Sequence, residues 1–331
     1  MTRKKTAIVF FNLGGPDSPA AVRPFLFNLF NDPAIITLPG PLRWILAKFI
    51  SGRRAPIAQK IYAELGGASP LLAQTALQSK ALEAVLGDDE DHDFRVFTCM
   101  RYWHPMSDEV AREVAAWGAE HVVLLPLYPQ FSTTTTESSA RDWSRAAAKN
   151  GLTATTSVIC CYPRQNDYVA AQAKLLRTQL KQTPQPARVL FSAHGLPVKF
   201  VEGGDPYQWQ IEQTALAIAR DAGLGTGDFR VCYQSRVGRL EWLGPSLDDA
   251  LAKSAQHGVN VVVLPISFVS EHSETLVELD IEYKALADAA GVPAYVRVPA
   301  VGTDEGFIDG LARVVKAADE NPQPMAWGRD G

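Results

Sequence analysis

The chain has 331 residues, 47% hydrophobic and 21% charged, which accommodates two ordinary domains with large cores and no need of lipid. Lys and Arg number 32 against 36 Asp and Glu, a formal net charge of −4, which argues against a nucleic-acid partner held through its phosphates. The four cysteines, Cys99, Cys160, Cys161 and Cys232, form no CxxC pair, so reduced thiols in a cytosolic protein are expected rather than a disulfide scaffold.

The first apolar run, Ala7-Ile8-Val9-Phe10-Phe11, follows Arg3-Lys4-Lys5 and stops at Asn12 and Gly14-Gly15-Pro16. It is too short for a signal peptide and reads as a first β-strand. Residues 25–50 are densely apolar but broken by Pro33, Pro39, Gly40 and Pro41. No stretch reaches the ~20 apolar residues of a membrane span. Two readings fit this region: core helices, or a helical lip over a large flat apolar ligand. Arg53-Arg54 follows directly and would hold carboxylates at such a ligand's rim. Beyond it, strands are expected at 94–99, 121–125, 155–160, 188–193, 229–233, 260–264 and 294–298, joining the one at 6–12. Helical patterns cover 70–86, 107–117, 137–149, 166–182, 206–222, 273–290 and 304–317. This alternation predicts an α/β fold of doubly wound, Rossmann-like halves with parallel sheets covered on both faces.

The chain also resembles itself. Ile8 to Pro16 parallels Val189 to Pro197, and Ala119 to Leu127 parallels Gly258 to Ile266. Two similar halves are expected, 1–163 and 164–320, followed by a loosely ordered tail at 321–331. Gly223-Leu224-Gly225-Thr226-Gly227 follows a helix pattern and precedes a strand, the reverse of a dinucleotide fingerprint.

The ionisable chemistry falls in the second half. The run Val189 to Ala193 ends at His194-Gly195, placing an imidazole at the carboxyl edge of a sheet, where open α/β sheets bind ligands. The run Val261 to Ser270 ends in Glu271-His272-Ser273-Glu274. Two strand ends offering His and Glu suit a metal ion, protons, or both. Glu274, Glu278 and Glu282 recur every four residues and share one helix face. A file of carboxylates there would conduct a cation inward or protons outward; a solvated helix face is the plainer reading. His92, His104, His121 and His257 sit in loops, helix ends or strand starts and are expected to be structural.

Together these residues resemble the ferrochelatase family. The resemblance is carried by Leu190 to Pro197 with Gly204-Asp205-Pro206-Tyr207, by Glu271 to Tyr283, and by Tyr233 to Gly238 with Trp242 to Pro245. Leu13 to Pro16, Gly66 to Pro70, Met100-Arg101-Tyr102 and Leu127 to Gln130 complete it. It implies the bilobal chelatase-type fold with a porphyrin cleft between the halves. It implies insertion of Fe²⁺ into protoporphyrin IX to give protoheme and two protons, the last step of heme synthesis. Carried over by motif, His194 and Glu274 are the catalytic pair facing the macrocycle, with His272 a third metal-site residue. Glu271, Glu278 and Glu282 form the metal path. Arg53, Arg54, Tyr62, Tyr128, Phe268 and Trp242 are the porphyrin-binding residues. Which of His194 and Glu274 binds iron and which takes protons stays open. The bacterial type without a cysteine-rich extension is implied, because no cysteine follows Cys232. No permanently bound cofactor and no [2Fe–2S] cluster is therefore expected, Fe²⁺ being a substrate.

Two rivals remain. One is another tetrapyrrole chelatase, acting on coproporphyrin or inserting cobalt. The other is a non-enzymatic heme or metal carrier. A cytoplasmic location is expected, with residues 25–50 available for peripheral membrane contact. No feature specifies an oligomeric state.

Overall fold

The computed structural model describes residues 3–87, 89–236, 238 and 240–320; the tail expected at 321–331 lies outside them. The chain divides into two compact units. Unit 1 holds residues up to Tyr128, Ser132–Cys161 and the chain from Leu311; unit 2 holds Pro129–Phe131 and Tyr162–Gly310.

Unit 1 is built on a parallel sheet ordered β2-β1-β3-β4, from β1 (Lys4–Asn12), β2 (His92–Met100), β3 (His121–Pro126) and β4 (Thr155–Val158). Its helices are α1 (Val22–Phe30), α2 (Gly40–Ala63), α3 (Leu71–Leu86), α4 (Ser107–Trp117) and α5 (Thr136–Lys149). Every residue of β3 is buried, as are Thr6 to Asn12 of β1. Near-continuous apolar runs fold this way because both faces of a parallel sheet are covered by helices. The flanking strand β2 instead alternates half-buried and exposed from His92 to Val96 and is buried only toward its end, at Phe97, Cys99 and Met100.

Unit 2 repeats the plan. Its sheet is ordered β6-β5-β7-β8, from β5 (Ala187–His194), β6 (Phe229–Gln234), β7 (Asn260–Pro265) and β8 (Tyr295–Arg297). Its helical elements are α6 (Asn166–Gln182), α7 (Val198–Glu202), α8 (Tyr207–Ala222), α9 (Leu247–Gln256), a π-helix (Glu274–Tyr283) and α10 (Lys284–Ala290). The last helix, α11 (Glu305–Glu320), is shared, its residues from Leu311 grouping with unit 1. The internal likeness extends to register. Ile8 pairs with Val123 and Phe11 with Pro126 in one sheet; their counterparts Val189 and Val262, Ser192 and Pro265, pair in the other. A one-residue slip would turn each buried face outward, so shared register means shared core geometry.

Some expectations need correction. The stretch 273–290 is a π-helix running into an α-helix, not one α-helix. Helix α9 was hidden by Asp248, Asp249, Lys253 and Gln256, yet it buries Leu247, Ala250, Leu251 and Ser254 at helical spacing. The rejected nucleotide loop is a helix stop: Gly223 at φ 75° ends α8. Strand β4 ends at Val158, before the cysteines. The strand expected at 155–160 therefore stops short of Cys160, and the Sγ atoms of Cys160 and Cys161 lie 2.9 Å apart.

Only part of the apolar region 25–50 is core. Phe25 and Leu26 of α1 pack with Val22, Ala55, Tyr62 and Tyr102 as core. Helix α2 is inverted: it buries the small Ala47, Ser51 and Ala55. Apart from the buried Tyr62, large residues face out, with Leu42 57%, Ile45 60% and Phe49 64% exposed. Among the described residues no helix is long and apolar enough to cross a membrane.

The four histidines set aside as structural have local partners. His92 and His121 both face Asp319, at 3.0 and 3.7 Å, and Lys4 reaches the same carboxylate at 3.0 Å. His104 meets Glu109, and Arg188 donates to His257.

Candidate active site

Three neighbouring strand ends at the carboxyl edge of the unit 2 sheet carry the site. Strand β5 ends at His194, β6 at Gln234, and β7 runs into the loop holding Ser267, Phe268 and His272. The backbone of His194 is fixed on both sides: its N–H donates to Ser267 Oγ (3.1 Å), and its carbonyl accepts from Tyr207 Oη (3.0 Å). Gly195 must be glycine, because a Cβ there would lie 2.7 Å from the Gln234 carbonyl and 3.1 Å from the Trp242 ring. The small-residue turn seen in the sequence is thus a close approach of β5 to β6.

The imidazole so placed meets the first residue of the π-helix. His194 Nδ1 lies 2.9 Å from Glu274 Oε2. Since a carboxylate only accepts, Nδ1 carries the proton and Nε2 holds the lone pair of the neutral ring. His194 keeps 42% of its side-chain surface and Glu274 24%, so the pair remains reachable. Burial opposes charge on His194, but Glu274's charge and hydrogen bond, with Glu278 behind, outweigh it and raise the pKa above the ordinary histidine value. Glu274 is also opposed by burial, yet His194 and then His272 hold it well below the usual carboxylate range.

His272 is buried against Phe268, ring to edge at 4.4 Å. Its Nδ1 lies 3.1 Å from the Ser270 carbonyl. A carbonyl cannot donate, so the proton sits on Nδ1 and the neutral ring's lone pair on Nε2. Nε2 is 3.8 Å from Glu274 Oε2. That is too long for a hydrogen bond but within the ~4 Å that one metal ion can span with bonds of about 2 Å. Among the described residues no group of three or more His, Cys, Asp or Glu side chains forms a ready metal cage.

The proposed path divides. Glu278 is held by three donors: Ser235 N–H (2.8 Å), Ser235 Oγ (2.6 Å) and Gln234 Nε2 (3.2 Å). Ser235 adopts φ 62°, a left-handed conformation rare outside glycine, and that bend aims both its donors at one carboxylate. Burial first, and Glu274's charge second, raise the Glu278 pKa. Glu282 is exposed near the end of the π-helix. Glu271 does not belong to this file: Arg297 grips it at 2.9 and 3.1 Å, and the Ala300 N–H donates to it. Arg297 also binds Asp280 at 2.6 and 2.7 Å. Gln234, Ser235, Ser267 and Tyr207 were not singled out from sequence as site residues. Gln234, Ser235 and Tyr207 lay inside the quoted motifs, but nothing in their spacing shows that they hold Glu278 or His194.

The expected porphyrin-binding residues fall in both units. Phe268 and Trp242 flank the unit 2 site. In unit 1, Arg53 is exposed, and Arg54 lies over the Phe30 ring at 5.9 Å. Tyr62 is a buried member of the α1–α2 core rather than a presented wall. Tyr128 is half-buried against the unit 1 core.

Comparison with known proteins decides the family. The Ferrochelatase family model matches residues 5–319.

The chain belongs to the ferrochelatase family.

A ferrochelatase of Phenylobacterium zucineum is 52% identical, covering 98% of this chain and 94% of that relative. One of Pelagibacter ubique is 48% identical, covering 96% and 92%. Among solved structures, the sirohydrochlorin chelatase SirB of Bacillus subtilis subspecies spizizenii, in complex with cobalt, matches at TM-score 0.56. It is 12% identical and covers 96% of this chain and 97% of its own, which shows a shared chelatase fold. As a member of this family the chain is a metal chelatase.

Proposed function

We propose that the chain carries out its family's reaction, insertion of Fe²⁺ into protoporphyrin IX to give protoheme and two protons, through the His194–Glu274 pair. The observation that carries the reading is the 2.9 Å contact between a strand-end imidazole and the first π-helix carboxylate, both solvent-reachable. A porphyrin presents two pyrrole N–H groups that must leave as the metal enters. His194 Nε2 takes the two protons one after the other, releasing the first before it accepts the second, and Glu274 stabilises the imidazolium that forms each time. Glu274 Oε2 and His272 Nε2 offer one oxygen and one nitrogen to the incoming ion, two ligands few enough to release it to the ring. Glu278, with its raised pKa, takes the proton onward, and exposed Glu282 exchanges with solvent or gathers cations.

Arg53 and Arg54 pair with substrate carboxylates, and Phe268, Trp242 and Tyr128 contact the macrocycle. The outward apolar face of α2 supports contact with a membrane surface by a cytoplasmic enzyme. No [2Fe–2S] cluster is part of this reading, in which Fe²⁺ is a substrate. The test is anaerobic incubation of the purified protein with Fe²⁺ and protoporphyrin IX. Protoheme is expected in many turnovers per chain. Binding of preformed heme with no turnover would instead establish a carrier.

A further inference from the structure

Cys160 and Cys161 belong to unit 1, and the chemistry proposed for the unit 2 strand edge does not call on them. Their Sγ atoms are 2.9 Å apart, both side chains are half-buried, and no disulfide joins them. The stretch that carries them is anchored at each end. Ile159 N–H donates to the Leu124 carbonyl (3.0 Å), and Tyr162 N–H donates to that of Pro129 (2.8 Å). The first of these bonds lies in unit 1 and the second in unit 2. Four residues thus take the chain from one unit to the other, and the two thiols are in the middle.

We infer that Cys160 and Cys161 form a redox-active vicinal dithiol, oxidised by low-molecular-weight disulfides to an eight-membered disulfide ring at the crossover. A disulfide bond is ~2.05 Å long, so the sulfurs close by less than 1 Å. Cys161 attacks one sulfur of the oxidant, such as glutathione disulfide, and forms a mixed disulfide with release of one thiol. Cys160 then displaces the second oxidant thiol. Two protein S–H bonds and one oxidant S–S bond are consumed; one protein S–S bond and two small thiols result. Cys161 is the attacking thiol in this order because its contact with Cys160, together with burial, raises the Cys160 pKa and keeps that thiol protonated. Oxidation fixes the backbone torsions between the two anchoring hydrogen bonds.

The other two thiols serve as internal controls. Cys99 is 2% exposed and Cys232 fully buried, and burial pushes the Cys99 thiol up to about 12. The experiment treats the reduced full-length protein with glutathione disulfide, then counts thiols in denaturant and maps peptides. The thiol count should fall from four to two, with the loss of two hydrogens confined to the tryptic peptide from Asn150 to Arg164 and no adduct retained. Cys160→Ser, lacking the resolving thiol, should accumulate a stable glutathione adduct on Cys161. Amide exchange at residues 159–162 should slow in the oxidised wild type and not in the adduct-bearing variant. Four thiols persisting in the wild type, or a stable adduct there in place of the ring, would overturn the inference.

Discussion

Replacing His194 with alanine removes the proposed base and leaves Glu274 without its nearest partner. A positioned general base contributes roughly 10²–10⁴-fold, about 3–5 kcal/mol of barrier, so kcat should fall by at least ~100-fold. The structural penalty should be much smaller. A charge-assisted hydrogen bond contributes roughly 1.5–3 kcal/mol when shielded. This one joins side chains 42% and 24% exposed, which reduces it to about 1 kcal/mol. The backbone bonds of residue 194 to Ser267 and Tyr207 use its N–H and carbonyl and survive the substitution. For a unit of this size the melting point should then drop by about 2–4 °C. Metallation of porphyrin with Zn²⁺, followed by fluorescence loss, beside calorimetry on the same sample, separates the two effects. Turnover within a few-fold of wild type would refute the assignment. A fall in melting temperature beyond ~10 °C would show that the imidazole holds the fold instead.

Three further outcomes follow from the same geometry. Glu282→Gln should raise the KM for Fe²⁺ or Zn²⁺ without changing porphyrin KM, because the residue is exposed; Glu278→Gln should lower kcat, because that group accepts protons beside the pair. Equal metal KM in both variants and wild type, with unchanged kcat, would reduce the file to surface charge. Arg53→Ala and Arg54→Ala should weaken porphyrin binding by roughly tenfold or more, as a partly shielded charge-assisted pair contributes about 1.5–3 kcal/mol, with kcat at saturation retained; unchanged affinity in fluorescence titration removes them from the site. Replacing Leu42, Ile45 and Phe49 together by serine should abolish sedimentation with anionic phospholipid vesicles and leave the fold intact, since all three are mostly exposed; undiminished sedimentation would place the membrane contact elsewhere.

Much of this was legible because the parallel sheet imposes one pattern. Buried strands read as unbroken apolar runs, and the first polar residue past each run marks the carboxyl edge. That rule located His194 and the Glu271 to Glu274 segment, and the paired runs revealed the repeat, to which the structure adds a shared register. What escaped depends on long-range contacts. Glu271 looked like part of an acidic cluster until Arg297, on a strand 26 residues later, took it away. The widening of the Glu274–Tyr283 helix leaves no composition mark. Ser235 shows its role only through φ 62° and its two bonds to Glu278. The strand expected at 155–160 took in Cys160, whereas β4 ends at Val158 and the Cys160 and Cys161 sulfurs touch beyond it.

The most direct measurement of the central claim is the pH dependence of kcat/KM for Glu274→Gln beside wild type. In the wild type, Glu274's charge raises the His194 pKa, so the base is lost to protonation at higher pH than an ordinary histidine would be. The rate should therefore climb with pH through that raised value. The same raised pKa stabilises the fold at pH below the ordinary histidine value and ceases to as pH rises past the folded one. With glutamine at position 274 the nearest counter-charge is gone, and burial of His194 is opposed only by the charge of Glu278. The acid limb should then move to lower pH, while the plateau kcat falls by ~100-fold or more, because the imidazolium and the metal each lose a carboxylate. An acid limb that stays in place, or a plateau within a few-fold of wild type, would contradict the pairing of His194 with Glu274 as the centre of metal insertion.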